Sequence, residues 1–220
     1  MKLETLFKEH RGRHSSKWHH YFEVYDRHLS HLIDKPFTLL EIGIAGGGSL
    51  QLWKKYFGSS VKIIGVDIDQ NCYFEESQIK TYIGDQTDTE FLSKILKEND
   101  QPTVIIDDGS HIQSHVIQTF NFLYPVLSNY GTYIIEDCHT AYWPRFEGGV
   151  NSHLNFVEIM SKTVHDVNTK WYNVPKTPRL NNLNSIHFYD SMIVCEKKQN
   201  NVERLMVNVD ETGARIMERV

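Results

Sequence analysis

Leu39-Leu40-Glu41-Ile42-Gly43-Ile44-Ala45-Gly46-Gly47-Gly48-Ser49 is the stretch from which the rest of the chain is read. A short apolar run contains an acid and leads into a turn with four glycines in six residues. Leu50-Gln51-Leu52-Trp53-Lys54-Lys55-Tyr56-Phe57 then follows with helical spacing. Strand, tight turn and helix in that order form the first unit of an open α/β sheet. The glycines permit positive φ and a close approach of backbone to ligand. The free N–H groups of the helix's first turn point at whatever the turn holds.

Gly43, Gly46, Gly47 and Ser49 are therefore expected to border a cofactor, and two classes compete for the place. Gly43 to Gly48 loosely fits the dinucleotide pattern, with Ala45 at its second glycine. Glu41 favours S-adenosylmethionine (SAM), which brings a sulfonium and an ammonium where NAD brings two phosphates. A turn that binds nothing is the plain alternative. Val61-Lys62-Ile63-Ile64-Gly65-Val66-Asp67 reads as the second strand. Asp67 stands a little over twenty residues past Gly43, where such folds place a carboxylate on ribose hydroxyls, with Asp69 as its competitor. Thr81 to Gln86 reads as a third strand and its exit, where Asp85 can accept from an adenine amino group.

Working outward, 220 residues suffice for one sizeable domain, and 40% hydrophobic with 23% charged residues is ordinary for a globular chain. A net charge of −5 argues against a nucleic-acid partner. The start has charges where a leader would be apolar, and no run approaches the roughly 20 apolar residues a membrane span needs. Cys72, Cys138 and Cys195 have no metal-ligand spacing. A reduced, cytoplasmic protein is expected. Residues 1–16 read as a polar arm, 17–198 as the catalytic domain and 199–220 as an extension with a short strand and helix, for assembly into a homo-oligomer.

Trp18, Tyr21, Phe22, Tyr25, Leu29 and Leu32 recur at helical steps, which predicts a helix over 17–32 capped by Ser16. It either lies on the sheet or roofs the site with Tyr21 and Tyr25 toward an acceptor. Val104-Ile105-Ile106 is a buried strand ending in Asp107-Asp108-Gly109-Ser110-His111, and Thr132-Tyr133-Ile134-Ile135 ends in Glu136-Asp137-Cys138-His139. Residues 173–184 read as loop, and 185–196 as a closing hairpin. Repeated strand–helix units give a doubly wound, mostly parallel sheet.

Acid pairs at the tips of neighbouring buried strands oppose one another's ionisation unless a cation joins them. Oxygen ligands favour a hard ion, Mg²⁺ first, with Ca²⁺ or Mn²⁺ as alternatives. Asp108 and Asp137 are the preferred ligands, because the first acid of each pair, Asp107 and Glu136, lies nearer the strand and faces cofactor or core. The bland alternative is that these acids serve as helix caps and loop acceptors. His111, three residues past Asp108, suits a general base at neutral pH, with His139 as its rival.

These motifs, with Gly84-Asp85-Gln86-Thr87-Asp88, Ile135 to Trp143, Tyr25-Asp26-Arg27-His28 and Ser185 to Ser191, resemble the macrocin and mycinamicin sugar O-methyltransferases over about residues 17–198. The resemblance implies a class I SAM-dependent methyltransferase, Rossmann-like with seven strands and a closing antiparallel hairpin. It implies methylation of a sugar hydroxyl on a natural product, aided by Mg²⁺. It also implies metal ligation by Asp108 and Asp137, base catalysis by His111, and SAM contacts at Glu41, Gly43, Asp67, Asp85 and Gln86. His139, Tyr142 and Trp143 are expected to join Tyr21 and Tyr25 around the sugar. The enzymes resembled are longer, and this chain is expected to lack their N-terminal domain. A nicotinamide oxidoreductase and a SAM-binding protein without turnover are the competing functions.

Overall fold

The computed structural model describes residues 2–168, 180, 182–198, 206–210 and 213–217. In chain order these form α1 (Leu3–Lys8), α2 (Tyr21–Leu29), β1 (Phe37–Ile42), α3 (Gly48–Phe57), β2 (Val61–Asp67) and β3 (Glu75–Glu76). There follow β4 (Ile79–Ile83), α4 (Thr89–Glu98), β5 (Val104–Asp107), α5 (Gln113–Val126), β6 (Thr132–Ile135), α6 (Phe156–Ser161), β7 (Leu183–Tyr189) and β8 (Met192–Lys197). The main sheet runs β3-β4-β2-β1-β5-β6-β8-β7. Its central pairs are parallel, β8 is antiparallel to both β6 and β7, and β3 is antiparallel to β4. The expected seven strands are all present. The two-residue β3 makes an eighth at the edge, too short to leave a periodic signal.

β1 lies between β2 and β5, so the chain leaves it toward one side of the sheet and later returns to the other. That reversal opens a crevice at the strands' carboxyl ends, where such sheets bind ligands. Alternation along the strands divides the core. Leu39, Ile63, Val104, Ile106 and Ile134 pack on the face covered by α1, α2 and α3. Leu40, Ile42, Ile64, Ile105, Tyr133 and Ile135 pack on the face covered by α4, α5 and α6. The same two-residue period fixes where each strand-end acid points.

Two N-terminal expectations change. The polar arm contains α1, whose Leu3 is buried and whose Phe7 ring packs 4.9 Å from that of Phe22. The helix expected over 17–32 begins only at Tyr21, and Ser30–Leu32 is a tighter 3-10 turn. Residues 17–20 stay non-helical while the Lys17 and Trp18 side chains reach carboxylates beyond β5 and β6. Asp88 caps α4, accepting from the N–H groups of Glu90 and Phe91. Of the loop expected over 173–184, residues 173–179 and 181 lie outside the described residues, and Leu183 and Asn184 already belong to β7. In the C-terminal stretch, β9 (Met206–Asp210) and β10 (Gly213–Met217) form an antiparallel pair. No helix occurs there among the described residues. No helix of the described chain is long and apolar enough to cross a membrane.

Candidate active site

A cavity of about 880 Å³ opens at the carboxyl ends of β1, β2, β4, β5 and β6. Gly43, Ile44, Asp67 and Asp85 line it, and so do Asp108, His111 and Asp137. Its size is that of small-molecule and cofactor sites, roughly 300–1,000 Å³.

The glycine turn fits between two backbones. Gly43 has φ +81°, and a Cβ there would stand 2.0 Å from the Asp108 carbonyl oxygen. The turn is thus pressed against the loop after β5. Gly46 and Gly48 make room for the N-terminal segment instead: a Cβ on Gly48 would lie 2.2 Å from the Arg13 carbonyl oxygen, and one on Gly46 2.7 Å from that of His14. Gly46 and Gly47, expected at the cofactor, therefore sit beneath Arg13, His14 and Phe74 and do not line the cavity. Ser49 does line it. Asp67 Oδ2 accepts from the N–H groups of Ile44 and Ala45, both at 2.9 Å, and braces the turn from β2.

Four other expected cofactor residues have protein partners. Glu41 is fully buried, on the face of β1 that carries Leu39; its Oε2 accepts from Trp53 Nε1 at 2.8 Å and its Oε1 lies 3.6 Å from Lys17. Gln86 borders the cavity but spends its amide on Ser110 N–H (2.7 Å) and Thr119 Oγ1 (2.9 Å). Asp107 points to the opposite face from Asp108, where Tyr133 donates to it at 3.3 Å. Burial pushes its carboxyl up to about 7. Neither Glu41 nor Asp107 lines the cavity. Asp85 does, although its Oδ1 also accepts from Thr87 N–H and Oγ1, which holds its carboxyl low.

Asp108, His111 and Asp137 come together at the other end, each offering a ligand atom within 4.8 Å of the others. His111 Nε2 stands 3.8 Å from Asp108 Oδ1 and 3.7 Å from Asp137 Oδ2. The backbone turns sharply to achieve this, with φ +58° at His111 and +52° at Asp137. Register explains the second turn. Asp107 pairs with Ile135, so the next level sets Asp108 beside Glu136, and Asp137 must swing back by a left-handed step to reach the same space. Asp137 Oδ1 accepts from Tyr21 Oη at 2.8 Å and Trp18 Nε1 at 3.0 Å, leaving Oδ2 toward His111. Burial, with hydrogen bonding to Asp137, pushes the Tyr21 hydroxyl upward, so it stays a donor.

Lys17 is the site residue that sequence reasoning missed. Its ammonium lies 2.6 Å from Asp108 Oδ2 and 2.7 and 2.8 Å from the two Glu136 oxygens. Burial pushes Glu136 up, as does Asp108, while the Lys17 ammonium and the Tyr25 hydroxyl pull it back. No periodicity marks Lys17, but a surplus of strand-end acids on one face calls for a counter-cation, and that was the available signal.

Of the expected acceptor residues, only Tyr21 borders the cavity. Tyr25 is fully buried and donates to Glu136. His139 bonds Ser191 through Nδ1 and packs against Trp143 at 4.6 Å, away from the cavity lining, which leaves His111 as the histidine beside the carboxylates. Tyr142 and Trp143 are exposed outside the lining. His28, His187 and Glu196 form a second cluster, but both His28 nitrogens are engaged, Nδ1 with Glu196 and Nε2 with the Tyr189 hydroxyl, each at 2.8 Å. That cluster ties α2 to β7 and β8.

A family model described as Rhamnosyl O-methyltransferase/CmcI matches residues 24–147, a span that includes Asp108, His111 and Asp137. The chain is 34% identical over 203 residues to the 8-demethyl-8-alpha-L-rhamnosyl tetracenomycin-C 2'-O-methyltransferase of Streptomyces olivaceus, covering 86% of this chain and 53% of that protein. It is 41% identical over 137 residues to the mycinamicin VI 2''-O-methyltransferase of Micromonospora griseorubida, covering 59% and 34%. Among solved structures, the MycE methyltransferase from the mycinamycin biosynthetic pathway, in complex with Mg, SAH and mycinamycin VI, superposes with a TM-score of 0.82 at 30% identity. That match covers 91% of this chain and 54% of MycE. The chain thus spans about half the length, or less, of these relatives.

Proposed function

Because the chain belongs to the rhamnosyl O-methyltransferase/CmcI family, we propose that it transfers the methyl group of SAM to a hydroxyl of a sugar carried by a small natural product. SAM is proposed along the β1, β2 and β4 end of the cavity, against Gly43, Ile44, Ser49, Asp67 and Asp85. A divalent ion, Mg²⁺ first, is proposed at Asp108 and Asp137. The residues fit such an ion: Asp108 Oδ1 and Asp137 Oδ2 face one space, oxygen donors suit a hard cation, and Asp137 is held from behind through its other oxygen. When bound, the ion supplies Lewis-acid help to a hydroxyl that is otherwise a poor nucleophile.

His111 accepts the hydroxyl proton at Nε2 as the new C–O bond forms and the C–S bond of the sulfonium breaks. The electron pair of that bond stays on sulfur, so S-adenosylhomocysteine leaves as a neutral thioether. Lining the donor and the oxygen up across the cavity removes much of the entropic barrier. Tyr21 and Trp18 orient Asp137, and Lys17 holds Asp108 in the metal-free chain. Family membership favours this reading over a nicotinamide oxidoreductase, which gains nothing from facing carboxylates. The proposed partners are a glycosylated acceptor and another copy of the chain. The 17–198 segment is proposed as the catalytic unit and 199–220 as an assembly element, in a cytoplasmic setting consistent with three free buried cysteines.

The observation that carries the proposal is the meeting of Asp108, His111 and Asp137 at one end of a cavity whose other end bears Asp67 and Asp85. Methyl transfer from labelled SAM to rhamnosyl or olivosyl acceptors, with and without EDTA, tests it. Activity should vanish in EDTA and return with Mg²⁺, and Asp108→Asn and Asp137→Asn should need more metal. Full turnover in EDTA overturns the metal's role, and failure to bind SAM overturns the whole reading.

A further inference from the structure

Lys17 gives the site a cation of its own. Its side chain is 5% exposed, and its ammonium touches oxygens of Asp108 and Glu136 at 2.6–2.8 Å, with Glu41 at 3.6 Å. Carboxylates from three strand ends around one positive charge form a cation cage. Alternation along β1, β5 and β6 aims all three at the same face. Asp108 is also a residue that a divalent ion needs. The two oxygens of one carboxylate are so close that an ion on Oδ1 would lie within a few ångströms of an ammonium on Oδ2. In a buried setting that repulsion is weakly screened.

Lys17 is carried by a segment with no helix or strand, which crosses the glycine turn. Gly48 N–H donates to the His14 carbonyl at 3.0 Å, Arg13 Nε donates to the Gly46 carbonyl at 2.6 Å, and Arg13 N–H donates to Gln51 Oε1 at 2.9 Å. Ser15, Ser16, Lys17 and Trp18 form part of the cavity wall. The segment is a strap across the proposed cofactor site, with Lys17 pinned into the carboxylates at its end.

We propose that the Lys17 ammonium and the divalent ion compete for Asp108, the one carboxylate their two sites share, so that metal entry expels Lys17 and loosens the strap of residues 10–18. This rests on the metal-dependent reading of the site and adds a consequence: metal loading and access to the cofactor turn are one linked equilibrium. Linkage then requires the reverse effect, so a chain without the ammonium should take up metal more readily.

Mn²⁺ alone, titrated calorimetrically into the full chain and into Lys17→Met, tests this together with hydrogen exchange of the wild-type chain. Lys17→Met should bind Mn²⁺ roughly tenfold more tightly. Mn²⁺ should also speed exchange across residues 10–18 of the wild type, and Asp108→Asn should abolish that response. Equal or weaker binding by a folded Lys17→Met, or unchanged exchange in wild type that binds Mn²⁺, overturns the competition and leaves the metal site standing. If Lys17→Met does not fold, the wild-type exchange decides alone. If Mn²⁺ binds to neither protein, the metal reading falls and takes the competition with it.

Discussion

Asp107 and Asp108 are neighbours, as are Glu136 and Asp137, yet the members of each pair live in different surroundings. The first acids are buried, whereas Asp108 and Asp137 keep 23% and 24% of their side chains open. Asp107 is turned to the α4–α5 side and answered by Tyr133; Glu136 is turned to the α2–α3 side and answered by Lys17 and Tyr25. The outer acids keep one oxygen for the protein and turn the other toward His111. A doubled acid at a strand tip is thus a division of labour. The acid nearer the strand is tied into the fold, and the acid beyond it keeps one oxygen open to the cavity.

The sharpest way to break that contrast is at the outer set. His111→Ala should lower kcat by about 10²–10⁴, the usual worth of a positioned base. Its calorimetric affinity for S-adenosylhomocysteine should stay within error of the wild type. A variant that turns over normally removes His111 as the base. At the inner set the loss should appear in folding instead. Glu136→Gln leaves the Lys17 ammonium short of an ionic partner, and breaking a buried pair costs about 3–5 kcal/mol. Urea unfolding should register a loss near the lower figure, because Asp108 and Glu41 still face Lys17. Unchanged stability would mean that the inner acids are not structural.

Tyr21→Phe probes the join between the two sets with a smaller effect. It removes a donor to Asp137 Oδ1 while keeping the ring, so metal affinity or activity should fall about 10–100-fold, as for other partners of metal ligands. Trp18 still donates to the same oxygen, which argues for the lower end. A metal titration of the folded variant that matches the wild type would show that Trp18 suffices.

Much of this contrast was legible beforehand. Hydrophobic period and glycine punctuation fixed β1, β2, β5, β6 and α3 nearly to their ends, and the choice of Asp108 and Asp137 over Asp107 and Glu136 followed from distance to the strand. What stayed hidden depended on chain reaching across the fold. Lys17 is 91 residues from Asp108 and 119 from Glu136, on a segment without period, and no local pattern encodes such a contact. The glycines misled for a related reason. Gly46 and Gly47 yield to His14, Phe74 and Arg13, a constraint indistinguishable in sequence from one set by a cofactor. Tyr25 and Tyr21 lie one helical turn apart, and only their distance from the cavity separates an inner partner from an outer one.

The finest test of the inner set is its pH dependence. Asp107 titrates near 7 in the folded chain, raised first of all by burial, against an ordinary value of 3.8. Between those values the folded chain holds a proton that the unfolded chain has released. Stability from this group is therefore greatest below about 4, declines as pH rises toward 7 and is level beyond. Glu196 runs the opposite way: hydrogen bonding to His28 holds it down to about 2, so its contribution is present above its ordinary 4.5 and fades as pH falls toward 2. Asp107→Asn should flatten the decline between pH 4 and 7 in urea melts and leave the acid-side loss in place. If the decline persists undiminished, its source lies with Glu41 or Glu136, which burial also pushes upward. The weight of the inner set would then rest on the Lys17 side of the sheet alone.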